Sequence, residues 1–435
     1  MKSSLIPIIG LEVHFELKTK SKMFCSCPVD HFQKKANTQV CPVCLGLPGA
    51  QPVPNEKAID KTIMFAQAFD SKIDGKFMFD RKNYYYPDLP KGYQISQHFN
   101  TIGKGGEVTI LDQGKFVSIS LQDIHLEEDT AKLIHKDDYS LVDYNRSGVP
   151  LVEIVSMPNI HSSLQAKEYL KRIRQVARWL DISDCDMEKG SMRLEANISL
   201  SKDRNVLPKY KVEIKNLNSF RYVEKALEYE IERQSKLLEK RELPIQETRG
   251  FDSSTGKTYS QRSKEEAKDY RYFPEPDIPP FDFTNKKISL PKEWKPPWEE
   301  EKALIDKYKL NWKYAKILSA NQKLLSFFKE AVNIGKNKIE GKVVANVIIN
   351  KKISWKKNSP KQLVDKILQE KKGEIEGETL EKIIKKIISE NPSAVKDYKS
   401  GKTQVIGFLI GQVQREAKGK AQVKQAQELL TKLLS

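Results

Sequence analysis

The chain has 435 residues, of which 39% are hydrophobic and 31% charged, and it carries a net charge of +17. This length allows two or three domains with cores of their own, and the composition is that of a globular protein. No stretch approaches the roughly 18 consecutive apolar residues of a membrane span, and the N-terminal MKSSLIPIIG lacks the apolar core of a signal peptide. The sequence therefore predicts a cytoplasmic protein.

The first predicted element is a strand over GLEVHFEL, residues 10–17. Its apolar residues alternate with Glu12, His14 and Glu16, which is the pattern of a strand with one buried face. The opposite face then carries two carboxylates and an imidazole in one row. That row is either an ordinary solvated face or a set of side chains directed at a ligand.

Four of the five cysteines follow this strand as two short pairs. They are Cys25 and Cys27, then Cys41 and Cys44. In a cytoplasmic chain two such pairs favour a zinc site over a disulfide framework. Because four thiolates leave no coordination position open, we expect the zinc to be structural.

Two further strands carry carboxylates. One begins with the alternation of VSISLQ and leads into HLEED, which contains Glu127 and Glu128, and the other is LVEIVS, which contains Glu153. If one sheet brings these strands beside the first, Glu12, His14, Glu128 and Glu153 form a cluster whose oxygen ligands suit Mg²⁺. The alternative is a set of separate salt bridges to the basic residues Arg81, Lys82 and Arg146.

Helices alternate irregularly with these strands. SLQAKEYLKRIRQVARWLDIS and FRYVEKALEYEIERQSKLLEKRE have the apolar spacing of amphipathic helices. Because strands and helices do not follow a regular strand–helix–strand order, we predict an α+β fold. FPEPDIPP is too rich in proline for the interior of an element and is predicted to be an extended loop.

A domain boundary is predicted at LPKEWKPPWEEE, where two prolines precede the acidic first turn of a new helix. Beyond it the sequence is almost entirely helical, with breaks near residues 358–360 and 372–377. We therefore predict a mixed domain over residues 1–290, a helical domain over 298–371 and a small helical tail domain over 372–435.

The positive charge is concentrated in the helical third. Residues 301–435 contain 29 Lys and Arg against 14 Asp and Glu, whereas residues 1–300 contain 46 against 44. This asymmetry indicates a polyanionic partner, with nucleic acid first. The alternative is that these lysines only lie on solvent-exposed helix faces and bind no partner.

No familiar nucleotide loop or hydrolytic nucleophile is visible in the sequence. SGKT at residues 400–403 resembles the end of a phosphate-binding loop, but the required glycine is replaced by Lys396. Neither a nucleophile elbow nor a Cys–His pair is evident. Any ATP site must therefore be of another type.

Several long motifs together resemble the B-subunit family of the bacterial tRNA-dependent amidotransferases. They are IGLEVHFEL, CPVCLGLPGAQPVPN, FDRKNYYYPDLPKGYQISQ, HLEEDTAK, DYNRSGVPLVEIVS, VEIKNLNSF, RSKEEAKDYRYFPEPDIPP and the C-terminal KTQVIGFLIGQVQREAKGKA. The resemblance covers nearly the whole chain. It implies a cradle-like catalytic domain, a helical domain and a tRNA-binding tail, in a heterotrimer with an amidase A subunit and a small C subunit.

The resemblance also implies a reaction. The B subunit would use ATP and Mg²⁺ to phosphorylate the side-chain carboxylate of mischarged Glu-tRNA(Gln) or Asp-tRNA(Asn), and ammonia from the A subunit would displace the phosphate. The magnesium ligands implied are Glu12, His14, Glu128 and Glu153, with Glu127 as a less certain member. Arg81 and Lys82 are candidate clamps for phosphate or carboxylate, and Arg146 is a further candidate for ATP.

This chain departs from the family pattern at three positions. Lys189 stands at an acidic position, Glu195 where Asp is usual, and Lys268 where His is common. Two other classes of protein remain open: a non-catalytic tRNA-binding zinc protein and a magnesium-dependent nuclease. A nuclease would cleave RNA without ATP, whereas the amidotransferase would consume ATP only with aminoacylated tRNA.

Overall fold

The structure is a computed structural model that describes residues 5–263, 270–350, 354–372 and 377–434. The chain divides into two compact units, Met1–Lys307 with Asn311–Gln322, and Tyr308–Leu310 with Lys323–Ser435. The predicted division of the helical region near residue 371 stays a prediction. Lys268 lies outside the described residues.

The first unit is rich in strands. Its strands are β1 (Ile6–Glu16), β2 (Lys72–Ile73), β3 (Lys76–Phe77), β4 (Asp80–Asn83), β5 (Tyr93–Ser96), β6 (Gly103–Lys104), β7 (Glu107–Asp112), β8 (Lys115–Glu128), β9 (Lys132–His135), β10 (Ser140–Asp143), β11 (Pro150–Ser156), β12 (Met192–Ser201), β13 (Val212–Lys215), β14 (Glu247–Asp252), β15 (Lys257–Ser263), β16 (Phe273–Pro274) and β17 (Phe281–Asp282).

Helices occur in both units and dominate the second. They are α1 (Glu56–Gln67), α2 (Ser163–Trp179), α3 (Phe220–Glu239), α4 (Pro297–Tyr308), α5 (Trp312–Ser319), α6 (Gln322–Ile334), α7 (Gly341–Asn350), α8 (Pro360–Lys372), α9 (Gly377–Glu390), α10 (Pro392–Lys399), α11 (Val405–Glu416) and α12 (Val423–Leu434). The predicted α+β class is confirmed. The two amphipathic helices predicted from periodicity are α2 and α3, and the helix predicted after the proline pair is α4.

The main sheet of the first unit has the order β15-β14-β13-β12-β1-β11-β8-β6-β2, and β7 pairs with β8 beside this path. The pairs β12–β1, β1–β11 and β11–β8 at its centre are all antiparallel. Four strands therefore lie next to one another. Of these, β1 carries the predicted ligands Glu12 and His14, β11 carries Glu153, and β8 carries Glu128.

One face of this sheet is covered by helices. In β1 the side chains of Leu11, Val13 and Phe15 are at most 1% exposed, because they point into the hydrophobic core. Helices α2 and α3 pack against each other and against the sheet. Ser162 and Ser219 are the N-cap residues of these two helices. The side chain of each accepts a hydrogen bond from a backbone N–H group of the first turn, which would otherwise lack a partner.

A smaller sheet of the first unit has the order β16-β4-β5. The predicted proline-rich loop contributes only its first two residues to this sheet, as β16. Strand β4 carries Arg81 and Lys82, whose side chains point to opposite faces because successive residues of a strand alternate.

The second unit is helical. Helices α9–α12 share a hydrophobic cluster that includes Leu380, Ile384, Leu409, Val413 and Leu430. Within the described ranges, no helix of the chain combines the length and the apolar character that a membrane crossing requires.

Candidate functional site

The polar face of the central strands gathers three of the predicted ligands. His14 on β1 lies directly opposite Glu153 on β11. Glu12 precedes His14 by two residues and lies on the same face of β1. One ligand atom from each of Glu12, His14 and Glu153 lies within 4.8 Å of the others. These three side chains therefore form a compact cluster, which we call the acidic row. Glu16, the third polar residue of the predicted strand face, lies outside it and pairs with Nε2 of His31 at 3.1 Å.

Strand β8 extends the acidic row with His125 and Glu127. The Nε2 atom of His125 lies 2.8 Å from Oε2 of Glu153, and its Nδ1 lies 2.9 Å from Oδ1 of Asp123. Oε1 of Glu127 lies 3.5 Å from Nδ1 of His14. His125, Glu127 and Glu153 form a second group whose ligand atoms lie within 4.8 Å of one another. His125 is not among the site residues predicted from the sequence.

Glu128 is not brought into the acidic row. Its side chain lies on the opposite face of β8, where Oε1 accepts hydrogen bonds from the ammonium of Lys91 and the backbone N–H of Ile95. It is only 3% exposed. Of the two neighbouring glutamates, the structure therefore places Glu127 beside His14 and Glu153, and Glu128 in a buried ion pair.

The electrostatics of the acidic row indicate an excess of negative charge. Burial and the neighbouring carboxylates of Glu153 and Glu195 raise the pKa of Glu12. Burial would lower the pKa of His14, but Glu153 and Glu127 outweigh it and raise that pKa. A cation among these side chains would relieve the repulsion between them.

Neighbours on β12 hold Glu12 in place. The side-chain amide of Asn197 donates a hydrogen bond of 2.8 Å to Oε1 of Glu12. Glu195, one of the three departures from the family pattern, lies opposite Glu12 in the sheet, and its carboxylate pairs with Lys215 at 2.9 Å. The longer acidic side chain is therefore accommodated by an ion pair.

The ammonium of Lys82 lies near the acidic row. Burial disfavours its charged form, but the carboxylates of Glu127 and Glu153 outweigh this effect and raise the pKa of Lys82. The ammonium also lies 4.9 Å from the centre of the Tyr270 ring, a cation–π contact. Lys82 is therefore a fixed positive charge beside carboxylates.

Arg81 and Arg146 make other contacts. The guanidinium of Arg81 forms a bidentate pair with Glu275, with both distances 2.8 Å, and lies 4.1 Å from the centre of the Tyr93 ring. The guanidinium of Arg146 donates to the carbonyl oxygens of Thr130 and Ala131. The structure thus gives both arginines partners within the protein.

A pocket of about 410 Å³ adjoins the acidic row, and its lining includes Glu12 and the neighbouring Asn197. Ile8 and Gly10, which precede Glu12 on the same face of β1, line it together with Leu207, Pro208, Tyr210 and Lys211 of a loop. Its volume is typical of sites that bind small organic ligands. An elongated ligand could therefore occupy the pocket at one end and meet the acidic row at the other.

The four paired cysteines come together as predicted from their spacing. The Sγ atoms of Cys25, Cys27, Cys41 and Cys44 lie within 4.8 Å of one another. The pKa of Cys44 is lowered to about 4. The main cause is a hydrogen bond from Cys25, and the buried ammonium of Lys22, 3.6 Å from Sγ of Cys44, contributes to the effect. This donor set suits a tetrahedral zinc ion.

The chain is similar in sequence to one group of proteins along nearly its whole length. Residues 7–289 match the family described as the GatB/GatE catalytic domain, and residues 309–434 match the GatB domain. The chain is 42% identical to the B subunit of the aspartyl/glutamyl-tRNA(Asn/Gln) amidotransferase of Thermotoga sp. (strain RQ2), over 98% of both proteins. It is 43% identical to the protein of that name from Thermodesulfovibrio yellowstonii, again over 98% of both.

Proposed function

Because the chain belongs to the B-subunit family of the tRNA-dependent amidotransferases, we propose that it activates an amino acid attached to tRNA. It uses ATP to phosphorylate the side-chain carboxylate of Glu-tRNA(Gln), Asp-tRNA(Asn) or both. Ammonia then displaces the phosphate, which gives Gln-tRNA(Gln) or Asn-tRNA(Asn). The reaction takes place in the cytoplasm, where aminoacyl-tRNA is used.

Phosphorylation is needed because a free carboxylate does not react with ammonia near neutral pH. Oxide or hydroxide is a very poor leaving group, whereas phosphate is a good one. Phosphoryl transfer asks little covalent chemistry of the protein, and depends on positioning and on neutralising negative charge. A cluster of side chains with suitable ligand atoms for a metal ion, next to a nucleotide-sized pocket, supports this proposal.

The observation that carries the proposal is the acidic row beside the 410 Å³ pocket. We assign Glu12, His14, Glu127 and Glu153 as the side chains that hold Mg²⁺. The donor set is three carboxylates and one imidazole, and the raised pKa of Glu12 reflects a charge excess that a cation would compensate. Bound Mg²⁺ would neutralise the phosphates of ATP. His125 positions Glu153 through the 2.8 Å hydrogen bond.

We place the nucleoside of ATP in the pocket and its phosphates along β1. Ile8, Gly10, Glu12 and His14 all lie on one face of this strand, and alternate residues of a strand are about 6.7 Å apart. A nucleotide lying along this face therefore reaches the acidic row with its phosphates when its base lies against Ile8 and Gly10.

Lys82 is the cation that we assign to the transferred phosphoryl group or to the carboxylate that receives it. Its charge is stabilised by Glu127 and Glu153. Arg81 and Arg146 are not part of this proposal, because their guanidinium groups already have partners within the protein.

The remaining features fit one component of a larger enzyme. The sequence offers no visible amidase nucleophile, so we propose that ammonia comes from an amidase A subunit, with a small C subunit completing a heterotrimer. The cysteine cluster is assigned a structural zinc ion. The predicted tail domain over residues 372–435, which contains 12 Lys and Arg against 8 Asp and Glu and has its own hydrophobic cluster, is assigned to the tRNA body.

The experiment that separates this function from its rivals is to follow phosphate release from ATP by the assembled complex. With glutamine as the source of ammonia and Glu-tRNA(Gln) or Asp-tRNA(Asn) present we expect release, and with the same tRNAs uncharged we expect little. The length of the RNA is checked on a denaturing gel in the same samples. Metal-dependent shortening of the RNA without ATP would support the nuclease. Equal phosphate release with charged and uncharged tRNA would contradict the proposal.

A further inference from the structure

A group of aromatic side chains lies beside the acidic row and has no part in the chemistry proposed above. We call it the aromatic cluster, and its members are Tyr84, His98, Phe99, Tyr270 and Tyr272. The rings of His98 and Tyr272 are stacked face to face, with centres 4.1 Å apart and an angle of 8° between their planes. Tyr270 contacts both Tyr84 and Tyr272 edge to face.

Two contacts place the aromatic cluster next to the reacting groups. The hydroxyl of Ser96, at the end of β5, donates a 3.0 Å hydrogen bond to Oε2 of Glu127. His98 follows two residues later, a separation of about 7 Å in extended chain. On the other side, Lys82 lies 4.9 Å from the Tyr270 ring centre and is influenced electrostatically by both Glu127 and Glu153.

The loop that carries His98 is fixed, yet its ring is exposed. The buried carboxylate of Asp80 accepts hydrogen bonds from the backbone N–H groups of His98 (2.7 Å) and Phe99 (3.1 Å). Phe99 is 51% exposed and His98 is also exposed. His98 is stacked on one face by Tyr272 and meets Phe99 at an angle of 72°, with ring centres 5.0 Å apart. It is still exposed, so it can contact a further planar group.

The proposed reaction requires such a group close by. The reacting carboxylate is joined to the terminal ribose of the tRNA through only a few bonds, so the last nucleotide must lie beside the acidic row. Unpaired bases are commonly bound by stacking on aromatic or histidine side chains.

We propose that His98 stacks, on the side of its ring away from Tyr272, against the unpaired base at the 3′ end of the aminoacyl-tRNA, which extends the Tyr272–His98 stack by one ring. The inference rests on the proposed function, because it is the aminoacylated RNA end that must approach Glu127. Stacking would fix the terminal ribose, and with it the carboxylate, relative to Lys82 and the acidic row. His98 is thus a positioning residue that binds substrate.

The test uses tRNA whose terminal adenine is replaced by 2-aminopurine, a fluorescent base that is quenched when it stacks. We expect the full-length chain in its complex to quench this fluorescence, and His98→Leu to remove most of the quenching. His98→Phe, which keeps a planar ring, should restore it. Tyr139→Leu removes another exposed aromatic ring, 61% exposed in the turn that connects β9 and β10, and should leave the quenching unchanged.

Kinetics supply the second measurement. We expect His98→Leu to lower kcat/KM for the aminoacyl-tRNA about tenfold, while the affinity for ATP stays the same. Equal quenching and equal kcat/KM in the His98→Leu and native proteins would overturn the inference. Loss of quenching in the Tyr139→Leu variant as well would also overturn it.

The two proposals fail in different ways. If the native complex amidates tRNA but His98→Leu behaves like the native protein, only the stacking inference is wrong. If the native complex shows no ATP-dependent amidation, the proposed function is wrong, whatever the fluorescence shows. Loss of assembly in His98→Leu, measured by size-exclusion chromatography, would indicate instead that the aromatic cluster contacts another protein of the complex, and would overturn the inference.

Discussion

His14 and Glu153 lie directly opposite each other in the antiparallel pair of β1 and β11, with Nδ1 of His14 3.7 Å from Oε2 of Glu153. The acidic row is therefore built by the register of the sheet. A shift of one residue would exchange its polar face for Val13 and Phe15, which now fill the core. Burial of the apolar face thus also fixes the positions of the proposed metal ligands.

We predict that the cysteine cluster binds one zinc ion per chain. Four Sγ atoms within 4.8 Å of one another match a closed thiolate site. Elemental analysis of the native protein should find one zinc, and Cys41→Ser should lose it and unfold at a lower temperature. Cys185→Ser, which changes a buried cysteine outside the cluster, should keep the zinc. A native protein without zinc and with four titratable thiols would contradict the assignment.

We predict that Gly10→Leu weakens ATP binding because the new side chain would enter the pocket that Gly10 lines. Gly10→Ala is the matched control, since an added Cβ would approach no atom closer than 3.7 Å. The KM for ATP should rise at least tenfold in the leucine variant and little in the alanine variant, with tRNA affinity unchanged in both. If the leucine variant retained the native KM for ATP, the nucleoside would have to bind elsewhere.

We predict that Arg81 contributes mainly to stability. Its partner Glu275 has a side chain that is 0% exposed, so Arg81→Met leaves a buried carboxylate without its bidentate partner. Breaking such a pair costs about 3–5 kcal/mol of unfolding free energy. Chemical denaturation should show this loss, and the double variant with Glu275→Gln should regain part of it. Lys236→Met, at an exposed ion pair, should have no measurable effect. A fully stable Arg81→Met variant with reduced kcat would instead favour a catalytic role.

We predict that the tail domain over residues 372–435 binds the tRNA body. Its removal should weaken tRNA binding and reduce the dependence of that binding on salt, because each phosphate contact contributes about −0.7 to −0.9 to the slope of log affinity against log salt. Glutaminase activity of the complex should remain. Affinity measured across a salt series provides the check, and identical curves for the two chains would show that the lysines only solvate exposed helices.

The sequence predicts the architecture well where apolar periodicity is strong. β1, α2, α3 and α4 all lie where their patterns place them. The spacing of the cysteines is equally informative, because both pairs fall on one short loop region that folds back on itself. These features depend on local sequence, which explains why they can be recognised without the structure.

The choice between Glu127 and Glu128 depends on a local irregularity. In the first part of β8, the apolar residues Val117, Ile119 and Leu121 occupy every second position. A β-bulge then shifts the pairing of β8 with β11 between the partners of Val155 and Ser156. Beyond this bulge the residues that belong to the hydrophobic core are Ile124 and Leu126. If the first alternation continued, Glu128 would lie on the face of the acidic row, whereas the bulge places Glu127 on that face.

Long-range partners explain the other differences. The sequence identifies Arg81 as a basic residue beside Lys82, but cannot show that Glu275, 194 positions later, already holds its guanidinium. His98 carries no recognisable pattern, and gains its interest only from its stacking on Tyr272. Such contacts arise from tertiary structure, not from spacing along the chain.

The central claim is that the acidic row supports ATP-dependent phosphorylation of a carboxylate on tRNA. The most direct measurement is to trap the acyl phosphate with hydroxylamine in place of ammonia, and to quantify the side-chain hydroxamate formed on Glu-tRNA(Gln) or Asp-tRNA(Asn). We expect ATP-dependent hydroxamate with the native complex and with Glu107→Gln, an exposed carboxylate on β7, and none with Glu12→Gln, although its tRNA affinity is unchanged. Hydroxamate formation by Glu12→Gln at the native rate would contradict the account.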